Sequence, residues 1–322
     1  MNRRDCLKGM LAGLALAGSA AAQPLPGGGI RIVVGFLPGG GTDVLARLLG
    51  QKLGEKWGVP VVVENRAGAA GVIAADYVAK QPADGRTLLM AHINSHGIAP
   101  GLQPRLGYAG DDFTPIALVG ATPLMLICGE KQPVRDLAGV VDLCRKNPGR
   151  ITFGSAGTGS IQHLALELFK ARAGMDAIHV PYKGGTSEIT DLIAGHIDYC
   201  FEGMTTAAPQ IQAGKVHAIA QTSPRRSKNF PDLPTVAELG YPGYEATVWF
   251  GLVGPAKLPA ELARRMNEDV NEVLRQPDVA ERLAQFGAED GGGSAERFGA
   301  FMHDEQRKWA GIIRDARISP ES

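Results

Sequence analysis

Short β-branched runs alternate with longer amphipathic stretches along this chain, and the alternation restarts after Asp112. That rhythm limits the fold more than any other feature, because strands separated by helical crossovers line up in parallel. The first series predicts a strand at 30–36 (IRIVVGF), a helix at 43–56, a strand at 60–64 (PVVVE), a helix at 72–80 and a strand at 87–91. Val44, Leu45, Leu48, Leu49 and Leu53 share one face of the first helix. The second series predicts strands at 115–119 and 124–128, a helix at 136–146 and a strand at 151–153. It continues with a helix at 160–173, a strand at 177–180, a helix at 187–194 stopped by Gly195, a strand at 197–201, a helix at 205–213 and a strand at 216–220. A further crossing segment at 247–253 leads into helices at 259–276, 278–287 and 295–317, which complete the first unit. The expected class is α/β: two lobes, each a mostly parallel sheet flanked by helices, joined by two crossing strands that form a hinge. Lobe 1 takes residues 23–121 and 250–322, and lobe 2 takes 122–249.

The N-terminus points to export. Arg3 and Arg4 precede an apolar run at 10–17 and the small residues 19–22, the layout of a signal peptide cleaved near Ala22. The order NRRDCLK resembles a twin-arginine signal, with Cys6 where a larger apolar residue is usual. The run is shorter than the ~20 residues a membrane-spanning helix needs. A mature chain of about 300 residues is long enough for two lobes with separate cores. Its charge is nearly balanced, since Lys and Arg total 33 and Asp and Glu total 33 in the whole chain. No basic excess points to nucleic acid, so an anion must be drawn by local donors and helix dipoles. Three cysteines follow the leader, Cys128, Cys144 and Cys200. A Cys128–Cys144 bridge is one reading; three small buried apolar side chains is the better one.

Glycines cluster directly after strands, at 39–41, 68–71, 154–159 and 184–185, where they let backbone N–H groups approach a ligand. In the loop PGGGTD, Pro38, Gly39, Gly40, Thr42 and Asp43 open a helix, with Thr42 or Asp43 placed to cap it. The candidate ligand is a small carboxylate at that helix start. After the second strand, Asn65, Arg66, Ala67 and Gly68 offer an amide, a guanidinium and a turn. Arg66 could hold a distal carboxylate or brace the loop, and bracing is the favoured reading. In GSAGTGSIQH, Ser155, Thr158 and Ser160 supply hydroxyls. Tyr182, Lys183 and Gly184 precede another helix that Thr186 or Ser187 caps; Lys183 is either a point charge for the ligand or an exposed lysine. Asp198 either faces the cleft or is a buried structural acid.

Other chemistries find little support. Gly39 and Gly41 have Val44 where a dinucleotide fingerprint needs its third glycine, and Gly214-Lys215 is followed by Val216 rather than Ser or Thr. The loop at 154–163 lacks the G-x-S-x-G elbow of a hydrolase, and His163 reads as a packed helix residue. His92 and His96 in HINSH lack the glutamate of a zinc hydrolase and follow a strand, so no metal is expected. No nucleophile–base pair or cofactor fingerprint is legible. The expectation is a binding protein, not an enzyme, with no cofactor. An α/β enzyme acting on a carboxylate, and a receptor that signals to a partner, are the alternatives.

An ordered series of segments resembles the receptors of tripartite tricarboxylate transporters, the Bug family, along essentially the whole mature chain. It comprises IRIVVGFLPGGGTD at 30–43, VVVENRAGAAG at 61–71, ADGRTLL at 83–89, ITFGSAGTGSIQHLALELF at 151–169, HVPYKGG at 179–185, PDLPTVAELG at 231–240 and the crossing segment at Trp249. The resemblance implies a two-lobed periplasmic-binding-protein (Venus-flytrap) fold, a carboxylate ligand, inner-membrane transporter subunits as partners and a periplasmic location. A monomer is expected. The same resemblance places the loops at 38–43, 65–68, 155–158 and 182–185 around the ligand. Ala67 stands where many members have proline, and AHINSHG at 91–97 departs from the family pattern.

Overall fold

The computed structural model describes residues 28–289, 291–315 and 318–319, so the leader read at 1–22 lies outside the described residues. Strand β1 (Ile30–Val34) has Ile32, Val33 and Val34 fully buried, as a central parallel strand covered on both faces requires. Helix α1 (Gly41–Trp57) follows and stops where Gly58 turns left-handed and its N–H bonds back to Gly54 O. Then come β2 (Val61–Asn65), α2 (Val72–Ala79) and β3 (Thr87–His92). In the order β2-β1-β3 the pairings are parallel, and β9 (Thr247–Pro255) adds antiparallel to β3.

The segment after β3, for which the sequence offered no element, winds into a π-turn at Asn94–Ile98 that runs on into the short helix α3 (Ala99–Leu102). Strand β4 (Phe113–Gly129) corrects an expectation. The two strands read at 115–119 and 124–128 are one strand, and Gly120 to Pro123 do not break it. Its partners change instead: β4 pairs β9 up to Pro123↔Thr247, and from Leu124 it pairs β7 (Tyr199–Gly203) and β8 (Val216–Gln221), all antiparallel. Proline suits such a junction because it has no N–H to give either ladder. The second sheet is completed by β5 (Thr152–Ser155) and β6 (Ile178–Pro181), parallel to each other, with β7 parallel to β5. Parallel pairing is thus confined to strands joined by helical crossovers, and β4, β8 and β9 make each sheet mixed.

Helices α4 (Leu137–Lys146), α5 (Ile161–Ala173), α6 (Gly185–Ala194) and α7 (Met204–Gln212) belong to the second lobe. Helices α8 (Ala260–Leu274), α9 (Pro277–Gln285) and α10 (Ala295–Asp315) return to the first. Trp249, fully buried on β9, receives the ring edges of Phe298 and Phe301 from α10 at 5.9 and 5.6 Å, which fixes that helix against the crossing. Cys128, Cys144 and Cys200 are unbridged and buried.

Candidate functional site

The cleft between the two sheets is reached from the carboxyl ends of β1, β3, β5, β6 and β7, where an α/β sheet places its ligand loops. Its empty space, with the open solvent at the mouth included, is about 660 Å3. The apolar walls are Phe36, Val248, Phe250 and the ring of His92, which packs 4.7 Å from Phe36 and 5.4 Å from Phe250. His92 Nδ1 accepts the Asn94 N–H, so the ring proton sits on Nε2. Burial, with His96 nearby, holds its pKa down to about 3, and the imidazole enters the site as a neutral donor.

Three helices begin on this cleft. Their N-caps are Gly40 for α1, Gly184 for α6 and Gly203 for α7, and none has a side chain capping it. By contrast, Asp136 caps α4 and Ser160 caps α5 through their own side chains. The first-turn N–H groups of α1 therefore remain for an anion from outside, reinforced by the positive end of the helix dipole, whereas the Glu202 carboxylate already stands against the starts of α6 and α7. No lysine or arginine lines the cleft among the described residues. The two lobes touch across it: Asn94 Oδ1 accepts the Ile161 N–H at 2.8 Å, and a Cβ placed on Gly41 would stand 3.0 Å from that of Thr205.

Of the residues expected from sequence, Gly40, Thr42 and Gly184 line the cleft. Pro38 and Gly39 form its exposed rim, with Gly39 in the left-handed conformation (φ +86°) that turns the chain into α1. Asp43 and Asn65 stand behind the loop. Asp43 accepts from Gly39 N–H (3.0 Å), Arg47 Nε and Nη2 (2.9 Å each) and Asn65 Nδ2 (2.8 Å), and Asn65 Nδ2 also donates to Phe36 O. Arg66 is engaged away from the cleft, donating to Glu64 at 2.6 Å and lying 3.5 Å over the Tyr77 ring; Ala67 and Gly68 extend the same bracing turn.

In the second lobe the hydroxyl donors move aside. Ser155 is fully buried with its Oγ 2.6 Å from His179 Nε2, Ser160 caps α5, and Thr158 is off the lining; the positions facing the cleft are Ala156 and Gln162. Tyr182 donates to Asp191 at 2.8 Å, and Lys183 is exposed and off the lining. Asp198 is displaced from the cleft altogether. It precedes β7 at the end remote from the ligand loops, accepting from Thr152 N–H, Thr152 Oγ1 and Gln132 Nε2 as a structural acid. The Ser155–His179 contact is a nucleophile–base pairing that the sequence did not reveal. Both are walled off from the cleft, and burial holds His179 down to about 4.

Sequence reasoning missed His92 and Asn94 after β3, Thr122 where β4 nears its change of partners, and Glu202, Thr205 and Thr206 around the end of β7. The signal that could have found them was the one used for the other loops: each group lies at or near the carboxyl end of a strand, Thr122 on β4 excepted.

The tripartite tricarboxylate transporter family receptor profile matches residues 45–318. Protein BugT of Bordetella pertussis is 38% identical over 308 residues, covering 94% of this chain and 94% of that protein. Among solved structures, the R. palustris protein Rpa4515 with adipate superposes with a TM-score of 0.88 at 34% identity, covering 91% of this chain and 99% of the other. MatC from Rhodopseudomonas palustris with bound malate gives a TM-score of 0.84 at 31% identity, covering 89% and 99%.

Proposed function

The chain belongs to the tripartite tricarboxylate transporter receptor family, and from that premise we propose that it closes its lobes on one small carboxylate and delivers it to the membrane subunits of such a transporter. It is a two-lobed solute-binding receptor for a small carboxylate. The observation that carries the site is the convergence of three uncapped, glycine-led helix starts on a cleft that, among the described residues, no lysine or arginine lines. Gly40, Gly41 and Thr42 hold the carboxylate through backbone N–H groups, and Asn94 and His92 add side-chain donors. Lobe 1 is 23–121 with 250–322 and lobe 2 is 122–249, so the rotation is taken up where β4 changes partners. The receptor acts as a monomer. A binding rather than an enzymatic role is in keeping with the receptor family and with the ligand-bound relatives.

A thermal-shift screen over carboxylates tests the reading. Ligand at a hundred times its dissociation constant adds ~2.7 kcal/mol to stability, and X-ray scattering is expected to show a smaller radius of gyration with that ligand than without. A panel in which no carboxylate raises the melting temperature would sink the assignment.

The family is periplasmic, and we propose that residues 1–22 take the chain there by the twin-arginine route. Replacing Arg3 and Arg4 with lysine is then expected to leave unprocessed precursor in the cytoplasm on an immunoblot of cell fractions. Normal processing of that variant would assign export to the general secretory route.

A further inference from the structure

The buried polar atoms left without a hydrogen-bond partner on the cleft lining are sorted by chemistry. Toward the first lobe and the hinge stand Asn94 Nδ2 and the Thr122 hydroxyl; toward the second stand Gln162 Oε1 and Glu202 Oε2. Donors for a ligand carboxylate therefore face two acceptors that ask for a donor in return. Glu202 is 3% exposed. Its Oε1 accepts the Gly203 N–H at 2.8 Å, and its Oε2 lies so close to the start of α6 that a Cβ on Gly185 would come within 2.4 Å of it.

The groups facing Glu202 are Glu188 from α6, Gln162 from α5 and Thr206 from α7; Cys200 of β7 adjoins Glu188, and Tyr182, tied to Asp191, stands further out. None is a cation. Burial, with the neighbouring Glu202 charge, pushes Glu188 well above the usual carboxylate range. Burial raises Glu202 too, and it stays above the usual carboxylate range although hydrogen bonds from Glu188 and the Gly203 N–H pull the other way. Of the two, Glu202 is the one its neighbours hold down, so it ionises before Glu188, and a donor placed on its free Oε2 favours that charged form. A buried charge without a partner is costly, and a second ligand carboxylate placed against it would add like-charge repulsion.

We propose that Glu202, positioned by Glu188, determines specificity at the ligand's far end and selects an ammonium group there, so that the receptor takes an amino-bearing carboxylate in preference to a dicarboxylate. The inference rests on the receptor reading above and deepens it. The carboxylate lies on the α1 start with Asn94 and Thr122, and the ammonium donates to Glu202 Oε2 and Gln162 Oε1.

Calorimetry on the wild-type protein with matched α,ω-dicarboxylates and ω-amino carboxylates of the same chain lengths tests it. The best amino carboxylate is expected to bind about tenfold or more tighter than its dicarboxylate counterpart. Titrations in buffers of different ionisation enthalpy are expected to show no proton uptake, with affinity level or rising as pH increases from mildly acidic to neutral. Glu202→Gln, checked for folding by circular dichroism, is expected to abolish the preference. A dicarboxylate that binds equally well or better, with proton uptake, overturns the proposal and leaves the receptor reading standing. Failure of every member of both series to bind overturns both.

Discussion

Gly40→Val is expected to fold normally and to lose its ligand. Gly40 is the N-cap of α1 and has φ −79° and ψ 168°, an extended conformation that valine adopts readily. A Cβ built there meets only Leu37 O, at the ordinary distance of 3.7 Å, so the protein interior does not resist the side chain. What lies on its open side is the cleft, which Gly40 lines together with Gly41 and Thr42. Two γ-methyl groups would stand over the first-turn N–H groups and keep a carboxylate from reaching them. The change in stability is expected to be about 1 kcal/mol or less, the range for replacing an N-cap residue. The affinity loss is expected to be about a hundredfold or more, roughly 2.7 kcal/mol. Thr158→Ala gives the contrast. A hydroxyl donating to a bound charge would be worth about 1.5–3 kcal/mol, but Thr158 is off the lining, and its loss is expected to cost less than about 0.5 kcal/mol. Calorimetry on both variants, with circular dichroism as the folding check, decides between them. Wild-type affinity in a folded Gly40→Val protein would remove the α1 start from the site.

The contrast between these residues shows how far sequence reaches. Glycines after β1 and β6 were legible as candidate ligand loops because a glycine run between a strand and a helix leaves backbone N–H groups open to approach, and both loops do line the cleft. Ser155, Thr158 and Ser160 looked equally suitable, yet loop composition does not say which way a side chain turns. Ser155 turns to His179 and Ser160 to its own helix, and Ala156 is left facing the ligand space. Glu202, Gln162 and Asn94 acquire meaning only when segments far apart in sequence meet. Nothing in FEGM or HINS says that an amide from one lobe closes on a helix start of the other. The continuity of β4 was hidden for a related reason. Gly120 to Pro123 read as a break because turns use the same residues, whereas the strand runs straight through and changes neighbours.

Asp43→Ala is expected to lower both stability and affinity, because this side chain touches no part of the cleft lining yet fixes the loop that does. The carboxylate is 2% exposed and gathers Gly39 N–H, Arg47 and Asn65. Arg47 is half-exposed, so its charge is screened and the ion pair alone counts for little. The hydrogen bonds to Gly39 and Asn65 matter more, since they fix where PGGG turns into α1. Water can reach Gly39 in the variant, and Asn65 keeps its bond to Phe36 O, so the expected loss is about 2 kcal/mol rather than the sum of every contact. Affinity is expected to fall about tenfold or more as the N–H groups of Gly41 and Thr42 lose their register. Burial acts to raise the Asp43 pKa, but the hydrogen bonds from Arg47, Gly39 and Asn65 and the Arg47 charge outweigh it and hold the carboxyl below the usual range. A depressed folded pKa adds stability above the unfolded value, about 3.9 for aspartate, and that stability is lost as pH falls through the folded value. The stability gap between wild type and variant should therefore be full at neutral pH and narrow below about pH 4. Urea unfolding at several pH values measures the gap, and calorimetry at neutral pH measures the affinity. Unchanged stability would make Asp43 a bystander, whereas lost stability with unchanged affinity would mean that the α1 loop does not set the carboxylate's position.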